Sequence, residues 1–441
     1  MAATLSQRDE ARLIWQAGVD AVQPEKLLRT ALANPLLRDA LESARRIIVV
    51  GAGKAGATMS AAVENLLPGL ISKMVGLVNV PAEAVRPLRS IQLHAARPSA
   101  FNHPTEAGVE GARKILTLLD QAKADDVALC LISGGGSALL PAPVEGISLE
   151  DKQAITQLLH SCGATIGEMN CVRKHLSKTK GGRLAQAFKG RIFFSLIISD
   201  VIGDPLDVIA SGPTAVDPST FADALAVLAK FRLLDQAPSS IVDFLRRGAR
   251  GETPETLKRL PDHVYNWIVG NNQMALKGAQ EQAERLGYRV LNLGSFIEGE
   301  TREVAGVHAG ILRSIKADQI PINCPACLLS GGETTVTLVG DHGLGGRNQE
   351  YVLASLTKLG ELGMKTTTIL SGGTDGEDGP TDAAGAIADA DTLRRANATG
   401  LNAAEYLHGH DAYSYFAATG SLLKTGLTGT NVMDIRVSLV A

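Results

Sequence analysis

The chain has 441 residues, of which 45% are hydrophobic and 20% charged, and its formal net charge is −3. This length predicts two or three domains. The charge, with no long basic stretch, argues against nucleic acid as a partner. No run of 18 apolar residues predicts a membrane span, and charged residues at positions 8–12 are unlike a signal peptide, so we expect a cytoplasmic protein that spans no membrane.

The first half of the chain alternates between predicted helices and strands. Two helices over 7–31 come first. Strands are predicted at 45–50, 74–80, 127–132 and 192–198, and helices at 57–67 and 108–121. Such alternation is typical of βαβ units and a mostly parallel sheet. Parallel strands all end at one edge of the sheet, where we expect ligands to bind.

A polar stretch at 245–262, with two glycines and two prolines, predicts a domain boundary. The second half has predicted strands at 264–269, 288–293, 327–330, 334–339, 366–370 and 435–440, with helices at 275–286, 301–315 and 349–362. We therefore expect an α/β fold. It has a Rossmann-like parallel-sheet N-terminal domain at 1–245 and a smaller α/β C-terminal domain at 263–441.

The segment Gly51-x-Gly53-x-x-Gly56 follows a strand and opens a helix, which is the context of a dinucleotide-binding loop. Glycine lets the backbone approach a phosphate, and the helix N-terminus offers N–H groups. A dehydrogenase also needs an acidic residue at the end of the next strand, but Asn79 stands near that end. Lys54, inside the loop, suits the oxygens of a transferring phosphate. The alternative is an exposed loop lysine.

The short sequence Ser-Gly-Gly recurs at the C-terminal ends of three predicted strands. Three copies in one chain favour a shared ligand, whereas each copy alone is also explained by a tight turn that needs positive φ. The copies are Ser133, Gly134, Gly135, Gly136 and Ser137; Ser330, Gly331, Gly332 and Glu333; and Ser371, Gly372, Gly373 and Thr374.

Several charged residues are further candidates. Asp200 ends an apolar strand, from which an aspartate can hold Mg²⁺ or cap a turn. Arg347 precedes a predicted helix and can clamp a carboxylate or phosphate. The acidic segment 375–382 fits a divalent cation, sugar-like hydroxyls or a solvated turn. The basic segment 170–183 fits an anion site or a solvated face.

Together these segments resemble the class II glycerate kinases, or glycerate 2-kinases, whose C-terminal half is the MOFRL domain and some of which carry the older name hydroxypyruvate reductase. The resemblance runs close to full length. It also rests on Gly345-Gly-Arg-Asn-Gln-Glu350 and Thr428-Gly-Thr-Asn431. The sequence departs from the usual pattern of the family at 103–106 and at Leu427 and Met433. These departures bear on detailed contacts with the substrate.

The resemblance implies an ATP- and Mg²⁺-dependent conversion of D-glycerate to 2-phosphoglycerate in a cleft between the domains. Lys54 and Arg347 match the catalytic positions. The three Ser-Gly-Gly segments, the glycines at 51, 53 and 56, and Asn271 and Asn348 are expected to bind nucleotide or substrate. Asp200 and Asp375 are candidates for the metal. A homo-oligomer is compatible with the sequence.

Two other functions remain open from the sequence. An NAD(P)H-dependent hydroxypyruvate reductase would use the Gly51–Gly56 motif, but it lacks the ribose-binding acid and leaves the other Gly-Gly segments unexplained. A non-catalytic sugar-phosphate-binding protein would suit the glycine-rich segments, but it would not need Lys54 or the acidic cluster.

Overall fold

The computed structural model describes residues 5–98, 103–338 and 340–441. They form two compact units. We call Pro24–Val269 the first unit, because its sheet comes first in the chain. The second unit combines the described residues up to Gln23 with Gly270–Ala441.

Helices account for most of the connections between strands. They are α1 (Gln7–Ala21), α2 (Pro24–Leu32), α3 (Pro35–Ser43), α4 (Gly56–Leu66), α5 (Glu106–Asp120), α6 (Gly136–Leu139), α7 (Leu149–Ser161), α8 (Ile166–His175), α9 (Arg183–Gln186), α10 (Phe221–Lys230), α11 (Ser239–Ala249), α12 (Asn272–Arg285), α13 (Thr301–Asp318), α14 (Arg347–Met364), α15 (Ala390–Ala398), α16 (Ala403–His408) and α17 (Ala412–Ala418).

The strands form two sheets. They are β1 (Ile47–Ala52), β2 (Met74–Pro81), β3 (Ile91–Arg97), β4 (Val127–Ile132), β5 (Ile192–Ile198), β6 (Val264–Gly270), β7 (Arg289–Asn292), β8 (Ala326–Gly332), β9 (Thr367–Gly373), β10 (Gly385–Ala388), β11 (Leu422–Leu423) and β12 (Asp434–Val440). Short 3₁₀ helices lie at Pro68–Lys73, Ala82–Ala84 and Ile209–Ser211.

The sheet of the unit Pro24–Val269 has the strand order β3-β2-β1-β4-β5-β6. This is the order of the Rossmann fold, and neighbours from β3 to β5 are parallel. Every residue of β1 and β4 is buried, because helices cover both faces of the sheet. Helix α5, for example, buries Ala112, Ile115 and Leu119 against it. The predicted Rossmann-like domain is confirmed.

The second sheet is mixed, with the order β11-β10-β9-β12-β8-β7. Strand β12 is antiparallel to both neighbours, and Asp434 at its start lies opposite Gly332 and Gly373. The ends of β8 and β9 therefore flank the start of β12. The strand predicted at 334–339 is not formed by the residues described there; Thr335 makes only an isolated bridge to Glu300, and Val339 lies outside the described residues.

The unit boundaries differ from the predicted 1–245 and 263–441. Helix α1 packs against α12 and β12 of the second unit, where the Trp15 indole N–H donates to Gly372 O at 3.1 Å. Strand β6 joins the first sheet beside β5 instead of starting the second domain. The apolar face of α1 could cover either sheet, so the sequence pattern did not reveal this partner.

Candidate functional site

The loops after β1 and β4 meet where the strand order of the first sheet reverses. The Lys54 N–H donates to Gly134 O at 2.8 Å, and the Ala55 N–H donates to Ser133 Oγ at 3.0 Å. Sheets of this kind bind ligands outside the carboxyl ends of the strands at this reversal. The structure thus brings together Lys54, which is half-buried, and the predicted segment 133–137.

Gly51 and Gly53 allow these two loops to pack closely. A Cβ atom on Gly51 would lie 2.0 Å from Leu131 O, and one on Gly53 would lie 2.0 Å from Ser133 Oγ. Gly56 instead lets α4 approach β2, since its Cβ would lie 3.0 Å from two valine methyl groups. The glycine pattern is therefore explained by contacts within the protein.

The N–H groups of this loop are also engaged internally. Those of Gly53 and Lys54 donate to backbone oxygens, and that of Ala55 donates to the Ser133 hydroxyl. A phosphate would have to displace these hydrogen bonds to use the same donors. The predicted ligand-binding role of Gly51, Gly53 and Gly56 stays a prediction, and the Lys54 side chain is the loop's stronger candidate.

Positive charge surrounds the second loop. Gly135 has φ 75°, and a Cβ there would lie 3.4 Å from Lys54 Cγ and 3.5 Å from Arg97 Nη2. Both cations thus come close to the backbone of segment 133–137. Side chains in this position can neutralise an anionic ligand at the edge of the sheet.

Farther along the same loop lies a group that we call the Ser137 cluster: Ser137, Lys152, Arg173, Lys180 and Ser211. Ser137 Oγ accepts from Arg173 Nη2 at 2.5 Å and from Lys180 Nζ at 2.9 Å, and it lies 2.9 Å from Ser211 Oγ. Part of the basic segment 170–183 is therefore directed inward, so a solvated face does not describe it.

The second unit holds Arg347 at the start of α14. Its Nε donates to Asp434 Oδ2 at 2.7 Å and its Nη2 to Asp434 Oδ1 at 3.1 Å, while Nη1 lies 2.9 Å from Glu333 Oε1. Burial acts to lower the pKa of Arg347, but the Asp434 carboxylate outweighs burial and holds that pKa above its usual range. The result is a permanently charged guanidinium with a fixed orientation.

Asn348 and Asp378 support this arginine. The Asn348 amide donates to Asp434 Oδ1 at 2.9 Å and accepts from Ser371 Oγ at 2.5 Å. Asp378 accepts from the backbone N–H groups of Asn348 and Gln349 at 3.0 and 2.9 Å. Asp378 thus accepts hydrogen bonds from N–H groups in the first turn of α14. Its carboxylate is used within the protein, so the segment 375–382 is not arranged as one cation site.

Asp378 is fully buried among polar groups. Burial raises its pKa to about 6, although the N–H donors of Asn348 and Gln349 act in the opposite direction. At the other end of the segment, exposed Asp382 pairs with Lys424 at 2.7 Å. Asp378 and Asp382 therefore have separate surroundings.

The second and third Ser-Gly-Gly copies form the last residues of β8 and β9, whereas the first copy follows β4. A Cβ on Gly331 would lie 1.7 Å from Asn272 Oδ1, and one on Gly372 would lie 2.8 Å from Trp15 Nε1. These glycines let α12 and α1 approach the sheet. The three copies thus differ in structure, and a shared ligand for them stays a prediction.

The remaining predicted residues have local roles or half-buried positions. Asn271 caps α12 by accepting from Met274 N at 3.1 Å, and the Thr374 hydroxyl donates to Met433 O at 2.7 Å. Asp200 and Asp375 are half-buried and follow β5 and β9. Within the described ranges, no three His, Cys, Asp or Glu side chains come together as a metal site.

Sequence reasoning missed two residues of the Arg347 site. Asp434 and Arg436 are both buried in β12, and Arg436 Nη2 lies 3.4 Å from Asp434 Oδ2. The available signal was two charged residues, two positions apart, at the start of an otherwise apolar strand, because alternate positions of a strand share one face. In the first unit, Lys152 was missed, and no motif marks it.

These observations define a class of α/β protein with two units. The first unit has the Rossmann strand order and carries Lys54 in the loop after β1. The second unit has a mixed sheet and carries Arg347, which a carboxylate holds in place. Its residues 10–246 match a domain family of unknown function, and residues 326–434 match the MOFRL family.

Individual relatives make the class more specific. Glycerate 2-kinase from Pyrococcus horikoshii is 40% identical over 395 residues, which cover 90% of this chain and 87% of the relative. A putative hydroxypyruvate reductase from Agrobacterium vitis is 40% identical over 438 residues, 99% of this chain and 95% of its own. The crystal structure of glycerate kinase from Thermotoga maritima matches with a TM-score of 0.86 and 36% identity, covering 98% and 99% of the two chains. The chain therefore belongs to the glycerate kinase family.

Among the described residues, no helix combines the length and apolar character needed to cross a membrane.

Proposed function

We propose that this chain is a glycerate 2-kinase, which transfers the γ-phosphoryl group of ATP to the 2-hydroxyl of D-glycerate and forms 2-phosphoglycerate. Relatives named glycerate kinase that match over nearly the full length support this activity. The structural observation that carries the chemistry is the Arg347 guanidinium, oriented by both oxygens of Asp434.

Phosphoryl transfer depends mainly on positioning and on neutralising charge. The 2-hydroxyl oxygen forms a bond to the γ-phosphorus, the bond from that phosphorus to the bridging oxygen breaks, and ADP leaves. Three of the five Arg347 N–H groups contact Asp434 and Glu333, so one N–H on each Nη atom is left for phosphoryl oxygens. Lys54 adds a second cation, from a loop at the strand-order reversal of the first sheet. That both act on the same phosphoryl group stays a prediction.

The residues present fit the Mg²⁺ ion that such a kinase uses. When bound, this ion would neutralise negative charge on the transferring phosphate, and proteins commonly supply only one or two carboxylates to it. Asp200 and Asp375 are half-buried carboxylates after the C-terminal ends of β5 and β9. We propose that one of them holds the ion and that the other orients the acceptor hydroxyl and takes its proton.

The nicotinamide-dependent reductase is the less well supported alternative. Asn79 stands near the end of β2, where a ribose-binding acid would be needed. It is fully buried, and its amide donates to Gly108 O at 3.2 Å and Leu139 O at 2.7 Å. Asn79 therefore joins α5 and α6 to the sheet and does not face a cofactor ribose.

The decisive experiment incubates the purified protein with D-glycerate, ATP and Mg²⁺ and couples the product to enolase, which accepts 2-phosphoglycerate but not 3-phosphoglycerate. We expect a signal that requires all three components. Omission of each component in turn is the control.

A contrary result would identify the alternative. If NAD(P)H is consumed with hydroxypyruvate while the enolase assay is silent, the chain is a reductase. If both assays are silent and a sugar phosphate raises the melting temperature, the non-catalytic reading is favoured.

A further inference from the structure

The Ser137 cluster contains three cationic side chains near one another. Lys152 and Lys180 are 8% and 3% exposed, whereas Arg173 and Ser137 are half-buried. The two lysines are thus less exposed to solvent than the arginine and the serine. All of these residues belong to the unit Pro24–Val269.

Among the described residues, no carboxylate forms an ion pair with Lys152, Arg173 or Lys180. Burial lowers the pKa of Lys152 to about 7, and the charges that add to this effect are those of Arg173 and Arg183. Burial also lowers the pKa of Lys180 well below its usual value, assisted by Arg173 and Lys152. Burying cations beside one another is unfavourable unless an anion joins them.

Neighbouring Lys174 provides the contrast. Its Nζ lies 3.0 Å from Asp207 and 3.3 Å from Asp217, so this buried lysine is paired with two carboxylates. Lys152 Nζ has no hydrogen-bond partner among the described residues although it is shielded from solvent. The Lys152 amino group is therefore available to a ligand.

The two serines fix the other cations. The Ser211 hydroxyl donates to Asn170 Oδ1 at 3.0 Å, so the proton between the serines belongs to Ser137. Ser137 Oγ accepts from Arg173 and Lys180, and Lys180 Nζ also donates to Ser137 O at 2.8 Å. This hydroxyl pair holds two cations in place before a ligand arrives, as a preorganised anion site requires.

We propose that the Ser137 cluster is an oxyanion subsite that binds the carboxylate of the acceptor substrate. The inference rests on the proposed glycerate kinase activity. In D-glycerate the carboxylate is bonded to the carbon that carries the reacting hydroxyl, so its site must lie close to the cation that binds the transferred phosphoryl group. Ser137 is two residues from Gly135, whose backbone is next to Lys54.

The charge and shape of the cluster favour a carboxylate over a polyphosphate. Because burial lowers the pKa of both lysines, the positive charge of the cluster is smaller than three basic side chains would carry in water, and this suits the single charge of a carboxylate. Two buried lysines beside a half-buried arginine and serine suit a small group with two oxygens. A triphosphate chain needs an open groove with several cations along it.

The test compares Lys152→Met and Arg173→Met with the matched control Lys178→Met, which changes an exposed lysine near the same cluster. We expect both cluster variants to raise the KM for D-glycerate about 10- to 100-fold, the effect of losing one charge-assisted hydrogen bond. The KM for ATP should change by less than about twofold. The control should leave both constants unchanged, and circular dichroism and melting temperature verify folding.

Other outcomes overturn the inference. A rise in the KM for ATP alone would assign the oxyanion to the nucleotide. Unchanged constants in folded variants would remove the subsite altogether.

A binding measurement separates this inference from the kinase proposal. Calorimetric titration of D-glycerate, with glycerol as the ligand that lacks a carboxylate, does not require turnover. If the wild-type protein has no kinase activity but binds D-glycerate and Lys152→Met does not, the subsite stands and the kinase proposal fails. Equal binding by both proteins, or equal binding of glycerol and glycerate, overturns the subsite.

Discussion

The guanidinium of Arg347 and the carboxylate of Asp434 form a two-point contact, with Nε–Oδ2 and Nη2–Oδ1 distances of 2.7 and 3.1 Å. The arginine begins α14, and the aspartate begins β12 between the ends of β8 and β9. The contact thus joins a helix N-terminus to the centre of the mixed sheet. It fixes the orientation of the guanidinium, as the proposed contact with a phosphoryl group requires.

Asp434→Asn should impair catalysis through Arg347. An amide accepts through only one atom and presents N–H groups to a guanidinium, so the two-point contact is lost. We expect kcat to fall at least about tenfold and the free energy of unfolding to fall by about 3 kcal/mol or less, because Arg347 is one-third exposed. Urea unfolding and the enolase-coupled assay measure the two effects.

The control for that variant is Asp382→Asn, which removes an exposed carboxylate that pairs with Lys424. It should leave both kcat and the unfolding midpoint unchanged. Wild-type kcat in a folded Asp434→Asn variant would show that Arg347 does not need this partner.

Lys54→Ala should abolish most turnover without unfolding the protein. The side chain lies in a loop at the edge of the sheet and is half-buried, outside the apolar core. If Lys54 neutralises charge on the transferring phosphoryl group as proposed, its loss should lower kcat roughly a thousandfold. Lys54→Arg, which keeps the charge but changes its geometry, should be intermediate. A folded and fully active Lys54→Ala enzyme would remove this residue from the mechanism.

Gly53→Ala should destabilise the first unit. The new Cβ would lie 2.0 Å from Ser133 Oγ, and the φ angle of 152° is unfavourable for a residue with a side chain. We expect a loss of about 2–4 kcal/mol in the free energy of unfolding. Gly69→Ala is the matched control, since nothing lies within 4 Å of its Cβ position. Thermal unfolding of the two variants should differ clearly, and similar melting temperatures would contradict the packing role of Gly53.

Stability should increase as pH rises from about 7 to 10. Burial lowers the pKa of Lys152 from 10.5 to about 7. Between these values the unfolded chain retains a proton that the folded protein has released, so raising the pH favours the folded state. Arg173, Arg183 and Lys180 face this lysine and are all basic, and Lys180 acts in the same direction. The expected gain is about 2–4 kcal/mol.

Lys152→Met provides the control for the pH effect. Denaturant unfolding at several pH values should show a higher free energy of unfolding for the variant at pH 7 and a flatter dependence above it. Parallel pH profiles for variant and wild type would mean that Lys152 is charged equally in the folded and unfolded states.

Much of the first unit could be predicted from sequence because its strands are apolar runs bounded by glycine. The strands at 127–132 and 192–198 have the predicted bounds. Lys54 and segment 133–137 were predicted as candidates separately, and the Rossmann strand order brings them together. Strand order follows from long-range pairing, which local patterns do not contain.

The details of the Arg347 site could not be predicted in the same way. Arg347 was identified from its position before a helix, but Asp434 is 87 residues away in the chain. Their contact depends on the insertion of β12, antiparallel, between β8 and β9. Strand direction within a sheet is not encoded by hydrophobic periodicity. Asp378, likewise, was predicted as part of an acidic cluster. Its actual partners are the N–H groups at the start of α14, and the local sequence does not indicate that contact.

The position of α1 has a consequence for synthesis of the protein. Trp15 and Ile14 of this helix are buried in a unit whose other residues begin at Gly270. That unit is discontinuous, with a whole domain inserted after its first helix. On the ribosome, α1 emerges before the inserted domain, and β12, on which Gly18 packs through Ile435, emerges after it. The inserted domain can fold during translation, whereas α1 must stay unpaired until β12 has been synthesised.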